Sequence, residues 1–411
     1  MDSKNEVYIG IDLSNSRTLL SFYKPNMAEP VTVSTVVGSE NYAIPTFLAK
    51  KKGLGQWFYG DEAKRRVMQS EAVAVEDIYN LSLSKAEITV DGQVYEAREL
   101  LVVFFKKLFS IPGVSAASEH LKKLVVCVEQ VSLEVMELLN FVGSRIGISS
   151  DSIMIIDRRE SFYYYAYNQK SELFLYDIVL FDYSGSNMVS NYITRNQNTR
   201  PQIITIETEN HGEIVDKRDA TFENILKERF GNKIISSVYL VGDGFDGDWM
   251  KTSLAYMCKG RKVYLGQNLY SKGACYSGLV KDGVKEWPFI YIGDNELKLN
   301  LSIKILDENE LKFLTLIDAG ESWYEAKGQC EVIIDGEPDI EFYIQRPESR
   351  DAHVEVLELT DMPDRENRTT RLRIEARPVS DKEIEIKITD LGFGEISPAT
   401  DKTWEHTIAL R

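Results

Sequence analysis

Residues 7–23 read VYIGIDLSNSRTLLSFY, an apolar strand that ends at Asp12, a turn of small polar residues, and a second apolar strand. Residues 178–193, IVLFDYSGSNMVSNYI, repeat this layout with Asp182 at the corresponding place. The two aspartates are 170 residues apart. Because an internal repeat points to a duplicated structural unit, the sequence predicts two related halves.

Helical periodicity follows each strand pair. After the apolar strand at residues 124–128, Ser132 can cap a helix whose apolar positions recur every three or four residues. In the second half, Thr221 can cap a similar helix before the apolar strand and glycine turn at residues 236–244. Alternating strands and helices in two related halves predict an α/β domain with two lobes around a cleft.

The pattern changes near residue 296, where apolar residues begin to alternate with polar ones. Several short alternating strands with no helix between them are typical of a β-sandwich. We therefore predict a first domain over residues 1–290, with lobes at about 1–175 and 176–290, and an all-β sandwich over residues 295–411. Residues 297–411 also hold most of the negative charge, with 15 basic and 26 acidic residues.

Composition excludes several classes of protein. The 411 residues are 43% hydrophobic and 27% charged, a globular balance that excludes disordered and collagen-like chains. The net charge of −16 repels phosphate backbones, so we expect no nucleic-acid partner. The four cysteines are widely separated, which argues against a disulfide framework or a zinc site. With neither a signal-like leader nor a long apolar run, the sequence predicts a cytoplasmic protein without a membrane partner.

The duplicated turns carry the candidate binding residues. Turn amides can hold phosphate oxygens, and an aspartate at a strand end can orient the water shell of Mg²⁺. Asp12 and Asp182 are the predicted magnesium-binding residues. The other nucleotide-binding candidates are Ser14, Asn15 and Ser16 in the first turn, Ser184, Gly185 and Ser186 in the second, and Gly242 and Gly244 in a later glycine turn. A purely structural role, in which strand-end carboxylates accept turn amides and glycines permit tight turns, fits the same residues.

Three segments resemble the phosphate and adenosine turns of one superfamily. Residues 10–16, GIDLSNS, are similar to G-I-D-L-G-T-T; residues 182–187, DYSGSN, to D-L-G-G-G-T; and residues 241–243, VGD, to V-G-G. The chain resembles the actin-like ATPase superfamily, and within it the DnaK-type heat-shock chaperones. This resemblance implies a duplicated, ribonuclease H-like α/β fold and ATP or ADP with magnesium as ligand. It also implies a peptide or protein partner held by the C-terminal sandwich.

The departures from the family pattern decide the functional hypothesis. The family segment I-N-E-P-T-A-A-A-L-A-Y holds a glutamate implicated in hydrolysis, whereas residues 156–167, IDRRESFYYYAY, place Arg159 there and Glu160 one residue away. Both phosphate turns have also lost glycines. We therefore expect a degenerate relative that acts as a binding or scaffold protein, with weak or absent hydrolysis. The alternative is a slow magnesium-dependent ATPase with chaperone-like peptide binding. Polymerisation, as in actin relatives, is a third hypothesis.

Two further clusters have both structural and functional interpretations. Tyr163, Tyr164 and Tyr165 form either a stacking platform or packing between lobes; consecutive helical residues point in different directions, which favours packing. Asp243, Asp246 and Asp248 weakly resemble a calcium loop but lack its terminal glutamate, which favours a solvated turn.

Overall fold

The computed structural model describes residues 6–35, 41–349 and 351–410. The chain divides into two units. The first unit contains residues 1–194 and 206–287, and the second contains residues 195–205 and 288–411. The chain therefore passes into the second unit for a short segment before it returns to the first.

One large sheet of the first unit has the strand order β11-β10-β1-β2-β3, with β4 also paired to β2. Its strands are β1 (Val7–Leu13), β2 (Arg17–Tyr23), β3 (Val31–Thr32), β4 (Ile44–Pro45), β10 (Leu121–Val128) and β11 (Ile153–Asp157). Every residue of β1 is buried, and the strand is central in the sheet, with β10 paired to it in parallel and β2 in antiparallel orientation. Since β10 and β11 are also parallel, the carboxyl ends of β1, β10 and β11 meet at one edge.

Shorter elements follow β4 along the chain. The strands are β5 (Leu48–Lys51), β6 (Trp57–Tyr59), β7 (Ala72–Val75), β8 (Glu87–Val90) and β9 (Gln93–Glu96). The helices are α1 (Gly60–Met68), α2 (Ile78–Leu83), α3 (Ala97–Phe109), α4 (Pro112–Ser118) and α5 (Leu133–Ile146). Ser132 caps α5 by accepting a hydrogen bond from the amide of Val135 at 3.3 Å, as the sequence predicts.

No single helix among the described residues is long and apolar enough to cross a membrane. The pair α3 and α4 meets the length and composition test only when the two are taken together, and they are bent by 94° at the break between them.

The second large sheet has the order β16-β15-β12-β13-β14-β17. Its strands are β12 (Asp177–Ser184), β13 (Asn187–Asn196), β14 (Gln202–Glu213), β15 (Ile235–Val241), β16 (Lys262–Leu265) and β17 (Phe289–Tyr291). The helices of this part of the chain are α6 (Arg158–Tyr167), α7 (Arg218–Phe230), α8 (Thr252–Met257) and α9 (Leu269–Lys281). β15 pairs in parallel and β13 in antiparallel orientation with β12, so β12 has the same two kinds of neighbour as β1.

The second unit contains two four-stranded antiparallel sheets, with orders β19-β18-β21-β22 and β20-β23-β24-β25. Their strands are β18 (Asn300–Asp307), β19 (Glu310–Ile317), β20 (Gly328–Ile333), β21 (Asp339–Gln345), β22 (Ala352–Glu358), β23 (Arg371–Ser380), β24 (Glu383–Gly392) and β25 (Thr403–Ala409). Alternate residues of these strands form one apolar core, which includes Leu301, Phe342 and Ile386.

The predicted fold class, a two-lobed actin-like α/β domain followed by an all-β sandwich, is wrong. The described residues form 25 strands and nine α-helices, so that 25% of the chain is helical and 40% is strand. These strands are divided among six sheets of two to six strands. The sequence patterns did not mark β5 to β9, because these strands have only three or four residues each, too few for an alternating pattern to stand out.

Candidate functional site

The carboxylate of Asp12 lies at the carboxyl end of β1 and is only 2% exposed. The guanidinium of Arg158 meets it there, with Nε and Nη2 each donating to Oδ1 at 3.3 Å. A buried carboxylate requires a partner, because isolated charges are strongly disfavoured away from water. Arg158 therefore neutralises the aspartate that the sequence assigned to magnesium.

The local sequence explains why Arg158 reaches this edge of the sheet. β11 ends at Asp157, whose carboxylate caps α6 by accepting from the amide of Glu160 at 2.8 Å. Arg158 is consequently the first residue of the helix and lies beside the parallel strands that carry Asp12. Arg159, which the sequence places at the position of the family glutamate, donates to Asp157 at 3.1 Å.

The ring of Tyr270 continues this arrangement towards the second large sheet. Its centroid lies 5.1 Å from the guanidinium carbon of Arg158, within the range of a cation–π contact. Its hydroxyl donates to Oδ2 of Asp182 at 3.1 Å, and the hydroxyl of Ser184 donates to Oδ1 of the same carboxylate at 2.6 Å. We call the connected residues Asp12, Arg158, Tyr270 and Asp182 the Asp–Arg–Tyr–Asp chain.

The electrostatics keep Arg158 and Tyr270 in the protonated forms that make these contacts. Burial disfavours the charge on Arg158, but the combined effect of Asp12, Tyr270, Asp182 and Cys127 outweighs it and raises the pKa of the guanidinium above its ordinary value. Burial raises the pKa of Tyr270 well above its usual range, so the phenol keeps the proton that it donates. Burial likewise raises the pKa of the Cys127 thiol, which lies opposite Asp12 on β10.

Side chains of the first turn bond within the protein. The amide of Ser14 donates to the carbonyl of Arg17 at 3.0 Å, and the amide of Arg17 donates to the Ser14 hydroxyl at 3.2 Å. The Ser16 hydroxyl lies 3.3 Å from that of Ser14. The side-chain amide of Asn15 donates to Asp77 at 2.5 Å. The polar groups of the turn thus bond to one another and to Asp77.

The second turn is capped by a carboxylate from a neighbouring loop. The amide of Gly185 donates to Oδ1 of Asp243 at 2.8 Å. This amide is one of the groups that the sequence predicts to bind a phosphate. The carbonyl of Ser186 accepts from the amide of Ile214 at 2.8 Å. Asp243, predicted to be part of a solvated turn, therefore has a specific bonding role.

Gly242 and Gly244 both pack against Tyr183. A Cβ at Gly242 would lie 2.3 Å from the Tyr183 carbonyl oxygen, and a Cβ at Gly244 would lie 2.4 Å from its ring. Gly242 also has a φ of 104°, which disfavours any side chain. Close packing against β12 accounts for both glycines.

The residues present do not fit a magnesium ion. Asp12 is bonded to a guanidinium, and both oxygens of Asp182 accept hydrogen bonds from hydroxyl groups. Among the described residues, no group of three or more His, Cys, Asp or Glu side chains is placed to hold a metal. A hydrated cation would have to displace Arg158 before it could approach Asp12.

Glu160, the alternative to Arg159 as the family glutamate, is buried and pairs with Lys281 at 2.8 Å. Tyr163 and Tyr164 are buried with ring centroids 4.6 Å apart, which agrees with packing.

Two residues of the site, Arg158 and Tyr270, were not predicted from the sequence. The charge of Arg158 directly after a strand-end aspartate was a visible cue.

Comparison with known families identifies two regions. A family model described as "Family of unknown function (DUF5716) C-terminal" matches residues 29–294, and one described as "Domain of unknown function (DUF8552)" matches residues 296–410. A search of curated proteins finds no match. Neither description names an ATPase or a chaperone, so the resemblance to those proteins stays a prediction.

Proposed function

Because the chain belongs to the DUF5716 C-terminal family, whose function is unknown, we propose its role from the geometry of its site. It is a binding or scaffold protein. The polar groups of its two turns are bonded to its own side chains, and it does not hydrolyse nucleotide. The Asp–Arg–Tyr–Asp chain is the observation that carries this proposal.

The protein supplies its own groups in place of the positive and negative charges of a magnesium–nucleotide complex. Arg158 provides a cation beside Asp12, and Asp243 provides an anion beside the amide of Gly185. Both substitutes are covalently part of the protein, so they bind without the entropy cost that a free ligand must overcome. A nucleotide has to compete with two preformed interactions.

A reducing, cytoplasmic location fits this role. All four cysteines are free thiols, and Cys127 and Cys275 are buried in the core. Oxidising compartments favour disulfides in place of such thiols.

Isothermal titration of the full chain with ATP and with ADP, each with magnesium present, tests the proposal. We expect no saturable heat up to a nucleotide concentration of about 1 mM, which corresponds to binding weaker than about 4 kcal/mol. A parallel assay of phosphate release should give the same rate for the wild type and for Asp12→Ala. A well-characterised ATPase in the same buffer serves as the positive control.

Saturable binding that Asp12→Ala abolishes would overturn the proposal. Phosphate release that depends on magnesium and is lost in Asp12→Ala and Asp182→Ala would support the alternative, a slow magnesium-dependent ATPase. In either case Arg158 would have to leave Asp12 when the ligand binds.

A further inference from the structure

The two four-stranded sheets of the second unit have very different outer faces. A two-layer antiparallel arrangement normally buries one face of each sheet and presents polar residues on the other. The sheet β20-β23-β24-β25 follows this rule. Its outward residues on β23 and β24 are mostly charged, and include Arg371, Arg373, Glu375, Arg377, Glu383, Glu385 and Lys387.

The outer face of the sheet β19-β18-β21-β22 instead carries several exposed apolar side chains, with Lys304 and Glu341 between them. Exposed hydrophobic side chains occupy outward positions on β18, β19 and β22: Leu306, Leu311, Phe313, Val354 and Val356. Leu311 and Phe313 are 66% and 62% exposed. Tyr343 on β21 is the partly exposed aromatic member of the same face. We call these six residues the apolar face.

Strand register makes the apolar face continuous. Leu306 lies opposite Leu311, and Tyr343 lies opposite Val354. The rings of Phe313 and Tyr343 meet edge to face with centroids 4.9 Å apart. Residues two apart on one strand also share a face, so these side chains border one another around Lys304 and Glu341, which lie opposite Phe313 and Val356. Contiguous apolar patches of this kind mark interaction sites.

Charge around the apolar face restricts what can cover it. Three acidic residues and one lysine occupy outward positions on these strands: Asp339, Glu341, Glu358 and Lys304. The β18–β19 turn adds Glu308. Two identical acidic surfaces repel each other, which disfavours a second copy of this chain. A partner with basic groups around an apolar surface is complementary on both counts.

We propose that the apolar face is the docking surface for a protein segment that presents apolar side chains flanked by lysine or arginine. This inference rests on the proposed binding role and assigns it to a defined surface. Apolar burial supplies affinity, and the acidic rim speeds association and selects basic partners.

An amphipathic peptide is the probe of choice. A fluorescein-labelled peptide of alternating leucine and lysine is titrated with the full chain at low salt, and binding is followed by fluorescence anisotropy. A peptide of alternating leucine and glutamate is the charge control. The test variant is Phe313→Thr with Val356→Thr, since threonine keeps strand propensity. Leu311→Thr is an independent second variant, and Glu385→Thr on the opposite sheet is the matched control.

We expect the leucine–lysine peptide to bind the wild type and the Glu385→Thr variant, and to lose about tenfold in affinity with the double variant. Leu311→Thr should weaken binding as well, and the leucine–glutamate peptide should not bind. Circular dichroism establishes that each variant is folded.

Equal affinity for the wild type and the double variant, or no binding by the wild type, would overturn the proposal. A dimer in sedimentation that the double variant converts to a monomer would also overturn it, because the face would then belong to a second copy. The nucleotide titration measures binding at the turns of the first unit, whereas this assay measures peptide binding at the apolar face of the second unit. A failure of one proposal can therefore be distinguished from a failure of the other.

Discussion

The guanidinium of Arg158 lies 3.3 Å from Oδ1 of Asp12, although the two residues are 146 positions apart in sequence. Asp12 is the next-to-last residue of the first strand of the chain, and Arg158 begins a helix after the last strand of the same sheet. This pair converts a carboxylate that resembles a magnesium ligand into half of a buried ion pair.

Replacement of Arg158 by methionine should destabilise the protein strongly. The variant leaves Asp12 buried without its cation, and breaking a buried pair from one side typically costs about 3–5 kcal/mol. Chemical denaturation of Arg158→Met measures the change in the free energy of unfolding. The double variant with Asp12→Asn should recover part of the loss, because no unpaired charge remains.

Arg145→Met is the matched control, since Arg145 pairs with Glu99 at the surface. Exposed pairs contribute at most about 1 kcal/mol, so this variant should unfold close to the wild type. If Arg158→Met proved as stable as Arg145→Met, the buried pair would not hold the site together.

Asp390 should make the second unit sensitive to acid. Its carboxylate is fully buried and accepts hydrogen bonds from both terminal nitrogens of Arg365 at 2.8 Å, from the amide of Gly392 and from Thr400. Burial alone would raise the pKa of Asp390, but these hydrogen bonds outweigh it and hold the pKa below its ordinary value.

Because the pKa of Asp390 is lower in the folded state, its ionised carboxylate stabilises the fold when the pH is above the unfolded-state pKa of about 3.9. This contribution is lost as the pH falls from that value towards the folded-state pKa. The unfolding midpoint in urea should therefore drop on going from pH 7 to about pH 3. Asp390→Asn should lower the midpoint at pH 7 and flatten this acid dependence. A variant with the full acid dependence of the wild type would contradict the role of Asp390.

Gly242→Ala should cost more than Gly247→Ala, although both glycines have positive φ angles of 104° and 89°. A Cβ at Gly242 would overlap the Tyr183 backbone, whereas a Cβ at Gly247 meets nothing within 4 Å. Backbone strain of about 1–3 kcal/mol applies to both, and the overlap adds about 1–3 kcal/mol at Gly242 alone. Thermal unfolding of the two variants measures the difference. Equal melting temperatures would show that β12 and the glycine turn separate easily.

Much of the local structure was predictable from the sequence. The strand pairs around Asp12 and Asp182, the Ser132 cap and the alternating core strands after residue 296 follow from short-range patterns. The fold class was not predictable in the same way. Strands such as β6, with three residues, carry too little periodicity to be recognised from the sequence.

The candidate site also combines features that the sequence predicts with features that it does not. The sequence by itself determined that an aspartate lies near the end of each of two strands and that both turns have fewer glycines than the family pattern, because covalent order and local propensity are enough for that. Only the tertiary structure decided what those aspartates bind. Arg158 and Tyr270 reach them because parallel strand ends converge on one edge and α9 begins beside it, and no periodicity within a segment encodes contacts between residues 88 to 146 positions apart.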